Sequence, residues 1–199
     1  VSDYDKTPQR AGRTVGDMDT ATHYSTLAER MATVVEAADP DRWDDPSPCD
    51  DWTATDVVDH VVSTQRDFLS RHGLDPGPAP DVASDPPKAW RTHAERVRQL
   101  LAQPGVAAQR FDGFFGPSTI GETIAQFYGF DMVVHRWDVA RALGIDTSFT
   151  PDELEQIGTS IDGFGEHLYA DGVCGPPVAV EASAPRQDRL LARMGRDPG

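Results

Sequence analysis

The chain has 199 residues, enough for one sizeable hydrophobic core and too few for two domains of ordinary size. Its 33 acidic against 18 basic residues give a formal net charge of -15, which argues against a groove that tracks a phosphate backbone, so nucleic acid is not an expected partner. No apolar run approaches the roughly 18 to 20 residues of a membrane span and the first residues lack a hydrophobic signal core, so no membrane partner is expected and the cytoplasm is the default location.

Residues 1–19 are polar and aperiodic, too poor in large apolar groups to offset their own ordering entropy, and predict a flexible N-terminal extension ahead of a single domain over 20–199. From Thr20, the positions Tyr24, Leu27, Ala28, Met31, Val34, Val35 and Ala38 step by three and four, which predicts a first helix ending near Asp39-Pro40. The proline- and aspartate-rich stretch from Arg42 to Trp52 predicts an ordered loop pinned by Trp43 and Trp52. Thr53 with Asp56 reads as a capping-box variant opening a second helix, whose buried stripe is Val57, Val58, Val61, Val62, Phe68 and Leu69. His60 lies on the flank of that stripe, the position of a group lining a cleft.

Prolines and glycines from Gly73 to Ser84 rule out helix and predict a long crossover. Asp85 and Pro86 open a third helix that Pro104-Gly105 ends. The segment Phe111 to Pro117 is aromatic and glycine-rich and is expected to be a loop over the bundle end. Thr119 and Glu122 form a capping box for a long central helix closed by Gly144, and Thr150 to Glu153 repeats the signal for a fifth. A short extended piece at Gly175–Glu181 and a short last helix over Arg186–Met194 complete the expectation. Five helical segments with one long crossover between the second and third predict an all-α protein, an antiparallel bundle with extra C-terminal helical segments.

The central helix carries the chemistry. At about 100° per residue, Asp131, His135 and Asp138 share an arc with Ile124, Phe127, Tyr128 and Ala142, which places three ionisable groups on a face that should point inward, while Arg136 points the other way. Buried ionisable groups are expensive unless paired or bound to a metal. Asp131 and His135, four apart, can ligate one ion, and His60 from the second helix makes a set of two histidines and a carboxylate, which leaves room for water or substrate. An Asp-x-x-x-His pair is most often an ordinary i,i+4 contact, and the trio reduces to one if His60 lies far from both. Asp138 reads better as a partner to an imidazole or a buried arginine than as a ligand. His23, His72, His93 and His167 have no partners at ligand spacing. Cys49 and Cys174 form no C-x-x-C, so no zinc knuckle or local redox pair is indicated, and a disulfide between them is left open.

The run from Pro46 through Trp52 to His60, taken with Asp131 to Ala140 and the ending Gly195 to Pro198, resembles the actinobacterial metal-binding branch of the DinB-like superfamily, which includes the N-terminal domain of mycothiol-dependent maleylpyruvate isomerase. The resemblance covers roughly residues 20–198. It implies a four-helix bundle core holding a divalent ion, zinc first and nickel second, on His60, Asp131 and His135. The isomerase carries Glu where this chain has the shorter Asp131, and the segment after Leu168 is too short for the isomerase's C-terminal domain, so a different reaction is expected. The expected function is metal-dependent chemistry of a low-molecular-weight thiol such as mycothiol with an electrophilic substrate, as a transferase or an isomerase, and no catalytic residue beyond the metal ligands is assigned. The alternative is a non-catalytic metal-binding sensor or interaction module, which a fourth protein ligand, Asp138 or Cys49, would favour. A homodimer is allowed but not required.

Overall fold

The computed structural model describes residues 20–113, 116–170 and 172–199. The extension expected over residues 1–19 lies outside them, as do Phe114 and Phe115 of the aromatic segment. In chain order the elements are α1 (Thr20–Glu36), α2 (Ala54–Arg71), α3 (Pro86–Leu101), β1 (Arg110–Gly113), β2 (Gly116–Thr119), α4 (Ile120–Thr123), a π turn (Ile124–Tyr128), α5 (Gly129–Leu143), α6 (Pro151–Phe164) and α7 (Arg186–Arg193). Short 3-10 turns sit at Pro40–Arg42 and Gly165–Tyr169. The protein is mostly helical, and no helix among the described residues is long and apolar enough to cross a membrane.

The helix starts follow from local chemistry. Thr53, Thr119 and Thr150 each accept a hydrogen bond from the backbone three residues on, while the acidic residue there accepts from the threonine's own N–H, satisfying two orphan donors per helix. Asp85 does half of this for α3, with Pro86 behind it. Gly144 closes α5 in the left-handed conformation, and Arg42 then donates to the freed carbonyls of Ala142 and Leu143. α1 packs on α3 and α5, α2 packs on the same two helices, and α6 lies against the far side of α5. Their apolar faces meet around Tyr24, Met31, Val58, Leu69, Trp90 and Ile124, all fully buried.

Three features differ from the expectation. The aromatic segment is no mere loop: Arg110–Gly113 pairs antiparallel with Gly116–Thr119, matching Phe111 to Ser118, so the protein is not purely all-α. Both strands are edges, which is why Pro117 is tolerated there. Second, the central helix runs unbroken from Ile120 to Leu143 but widens into one π turn, and Phe127, expected on the inward arc, is 44% exposed. Third, Arg136 points away from the His135 face yet is buried, because α6 covers it. Its guanidinium forks onto Glu153 at 2.7 and 3.1 Å and donates to the Ser148 carbonyl, and Arg30 reaches the same carboxylate. No strand is present at Gly175–Glu181, among the described residues.

Candidate metal centre

The Thr53 cap sets the start of α2, so His60 falls two turns in, on the side of the helix that faces α5. Asp131 and His135 lie one turn apart on α5 and meet it across the interface. Nε2 of His60 lies 3.7 Å and Nε2 of His135 3.3 Å from the same oxygen, Oδ1 of Asp131. One ligand atom from each residue lies within 4.8 Å of the others, so the trio could hold one ion. His60 is not far from the pair, and the condition that would reduce Asp131-His135 to a plain i,i+4 contact is not met. Trp52, on the loop before α2, packs at 4.8 Å against the His60 ring, inclined by 43°, and stands 6.1 Å from that of His135. Oδ2 of Asp131 is buried with no hydrogen-bond partner. Such an orphaned carboxylate oxygen is costly to bury, and beside two imidazole nitrogens it suits a cation.

The other nitrogen of His135 has a different environment. Nδ1 lies 2.9 Å from Oδ2 of Asp138, a fully buried carboxylate that also takes two hydrogen bonds from Arg196, 3.0 Å from Nε and 2.7 Å from Nη2. Cys49 Sγ lies 3.4 Å from the same Asp138 oxygen and 4.0 Å from Nδ1. Cys49, His135 and Asp138 thus form a second group with metal-ligand chemistry. The guanidinium of Arg196 already answers the Asp138 charge, so a cation there would face a buried positive group. Of the two groups, His60, Asp131 and His135 are the better fit. Asp138 fixes the His135 ring by the hydrogen bond that histidine ligands commonly make to a carboxylate.

The electrostatics agree. Burial alone would push the Asp131 carboxyl up, but His135 and His60 outweigh it and hold it well below the carboxylate range. Burial likewise acts against Asp138, where Arg196 and His135 prevail and keep it ionised. Burial would lower His135, yet Asp131, Asp138 and Cys49 together raise it well above the ordinary imidazole range. Without a cation, the His135 proton answers the Asp131 charge while Arg196 answers that of Asp138.

All three residues singled out as ligands therefore converge, and Asp138 stands where an imidazole partner was expected. Asp138 and Cys49, the nearest candidates for a fourth ligand, lie on the Nδ1 side of His135 instead. Arg196 and Cys174 were not anticipated here. Arg196 reaches Asp138 across 58 positions of sequence, and neither spacing nor periodicity announces such a contact. Trp52 was expected to pin the loop but not to wall the trio. His93 is a core residue bonded to Gln65.

A family model described as the mycothiol maleylpyruvate isomerase N-terminal domain matches residues 24–140, more than half of the chain. The chain is also similar to two uncharacterized proteins of Mycobacterium tuberculosis, from strains CDC 1551 / Oshkosh and ATCC 25618 / H37Rv. Each is 25% identical over 184 residues, covering 90% of this chain and 98% of the relative. No solved structure matches the chain significantly.

Proposed function

The chain belongs to the mycothiol maleylpyruvate isomerase N-terminal domain family, and from that premise we propose that it is a metal-dependent enzyme of low-molecular-weight thiol chemistry. His60, Asp131 and His135 hold the divalent ion, zinc first and nickel second, within a DinB-like antiparallel four-helix bundle formed by α1, α2, α3 and α5. When bound, the ion lowers the pKa of a thiol brought to it and so supplies a nucleophile near neutral pH. The observation that carries the reading is the buried Asp131 carboxylate, shared by two imidazoles and left with an unpartnered oxygen.

The chain's own residues do the rest. Asp138 accepts a hydrogen bond from Nδ1–H of His135 and so leaves the Nε2 lone pair to face the other two residues of the trio. Arg196 keeps Asp138 ionised for that task. The Trp52 indole packs beside the His60 and His135 rings on one side of the trio. With Asp138 and Cys49 on the opposite side of His135, three protein ligands leave a position open to a thiol such as mycothiol, which favours an enzyme over a closed, non-catalytic site.

The test is elemental analysis of untagged protein for wild type and for His60→Ala, Asp131→Ala and His135→Ala. About one equivalent of metal in the wild type, lost in each variant, supports the trio. Mycothiol-dependent turnover of an electrophile by loaded wild type alone then supports the enzyme. No metal after reconstitution with zinc or nickel overturns the reading.

A further inference from the structure

Arg196 does more than answer Asp138. A guanidinium carries five N–H donors in a planar fork, and five hydrogen bonds surround this one. Nε and Nη2 take the Asp138 carboxylate, Nη1 takes the Met194 carbonyl at 3.0 Å, and the last two go to sulfur. Nη2 lies 3.7 Å from Sγ of Cys49 and Nη1 3.8 Å from Sγ of Cys174. Two thiols 125 positions apart in sequence therefore sit on the two terminal nitrogens of one side chain.

The backbone is shaped to permit this. Gly195 adopts φ +80°, and a Cβ there would lie 2.9 Å from the backbone of Gly175, so only glycine lets the strand of chain bearing Cys174 lie against the one bearing Arg196. Both thiols are half-buried and free. Cys174 packs against the core with its N–H on the Leu168 carbonyl, and the segment after it is mostly exposed, with Val178 N–H on the carbonyl of Ala192.

We propose that Cys49 and Cys174 form an oxidisable dithiol, a second reactive site whose co-substrate is a low-molecular-weight disulfide. The Cys49 sulfur, as thiolate, attacks one sulfur of the disulfide RS–SR, forming a Cys49–SR mixed disulfide and expelling RS⁻. Cys174 then loses its proton and attacks the Cys49 sulfur, closing the Cys49–Cys174 bond and expelling the second RS⁻. Two protein thiols and one RS–SR become one protein disulfide and two RSH, with two electrons leaving the protein. Burial pushes the Cys174 thiol up, which suits the second, resolving role better than the first. The product would tie the Trp52 loop covalently to the C-terminal segment and remove the S–H that Cys49 offers Asp138. The dithiol needs no metal, so it stands apart from the function proposed above.

The experiment uses the full chain, reduced, treated with EDTA and incubated with oxidised glutathione, then alkylated and read by intact mass and peptide mapping. The expected result is loss of two hydrogens and one cross-linked peptide joining Cys49 to Cys174 within a single chain. Cys174→Ser should stop at one glutathione on Cys49. The proposal is overturned if both thiols remain alkylated, if wild type accumulates glutathione without the cross-link, or if the cross-link joins two chains.

Discussion

His93 and His135 are both nearly sealed from solvent, at 1% and 7% exposure, and both stand beside a polar atom with no partner, yet they hold protons oppositely. His93, on α3, faces α2, where Gln65 Oε1 accepts one hydrogen bond from the Tyr24 hydroxyl and another from Nε2 of His93. Among the described residues no carboxylate is bonded to that network, and burial, aided by Arg66, pushes His93 down to about 3. His135 has Asp131 on one nitrogen and Asp138 on the other, and the pair reverses the effect of burial. Burial does not make a histidine a site. Anionic neighbours do, and they also make it a place where a cation can replace a proton.

The comparison breaks most sharply by substitution. Asp138→Asn, which loosens the His135 ring without touching the trio, should weaken zinc binding by roughly 10- to 100-fold in competition with a chromophoric chelator. Gln65→Leu, the counterpart in the His93 network, should leave zinc affinity unchanged. Equal losses in both variants would mean that general destabilisation and not ring orientation is being read.

Acidity sharpens it further. Zinc must displace the proton from His135, so affinity should fall by about tenfold per pH unit of acidification while that imidazole is protonated, levelling off only above its raised pKa. Isothermal titration in buffers of differing ionisation enthalpy would count the released proton, and release of none contradicts the assignment. His93 acts through folding instead. Its folded pKa is depressed, so its contribution is fully present above the unfolded value of 6.5 and is lost as pH falls from there toward about 3. Denaturant titrations should lose about 1 kcal/mol per pH unit in that window, and His93→Gln should flatten the slope. In the metal-free protein His135 has the opposite sign, since a raised imidazole contributes stability below 6.5 and loses it as pH rises through its folded pKa.

These two histidines also show what was legible in the sequence. Each candidate of the trio could be read locally, since Asp131 and His135 are one turn apart on one helix and His60 sits on the flank of a regular stripe, but their meeting depends on how α2 packs on α5 and was implied by the resemblance. The threonine caps and the Gly144 stop were likewise legible locally. Arg196, Cys174 and the Gln65 bond to His93 are contacts between distant segments, set by how the C-terminal segment or two helices pack. No period encodes them. The hairpin was missed because two four-residue strands around a glycine-rich tip give too short an alternation to separate from a loop. Arg136 was legible in direction but not in burial, since its cover is supplied by α6.

The π turn before Asp131 sets a rotational phase. Each residue of an α-helix advances the side chains by about 100°, and a wider turn absorbs an additional residue without breaking the helix. Removing one residue between Ile124 and Tyr128 would let the helix relax to plain α while keeping its composition and its Thr119 cap. Asp131, His135 and Asp138 would then keep nearly their present direction toward His60 and Arg196, whereas the same deletion within α5 would turn the residues beyond it by about 100°. Between the Thr119 cap and Asp131 the helix can therefore gain or lose one residue at the π turn and still present the same face to α2, a latitude that no stretch of α5 offers.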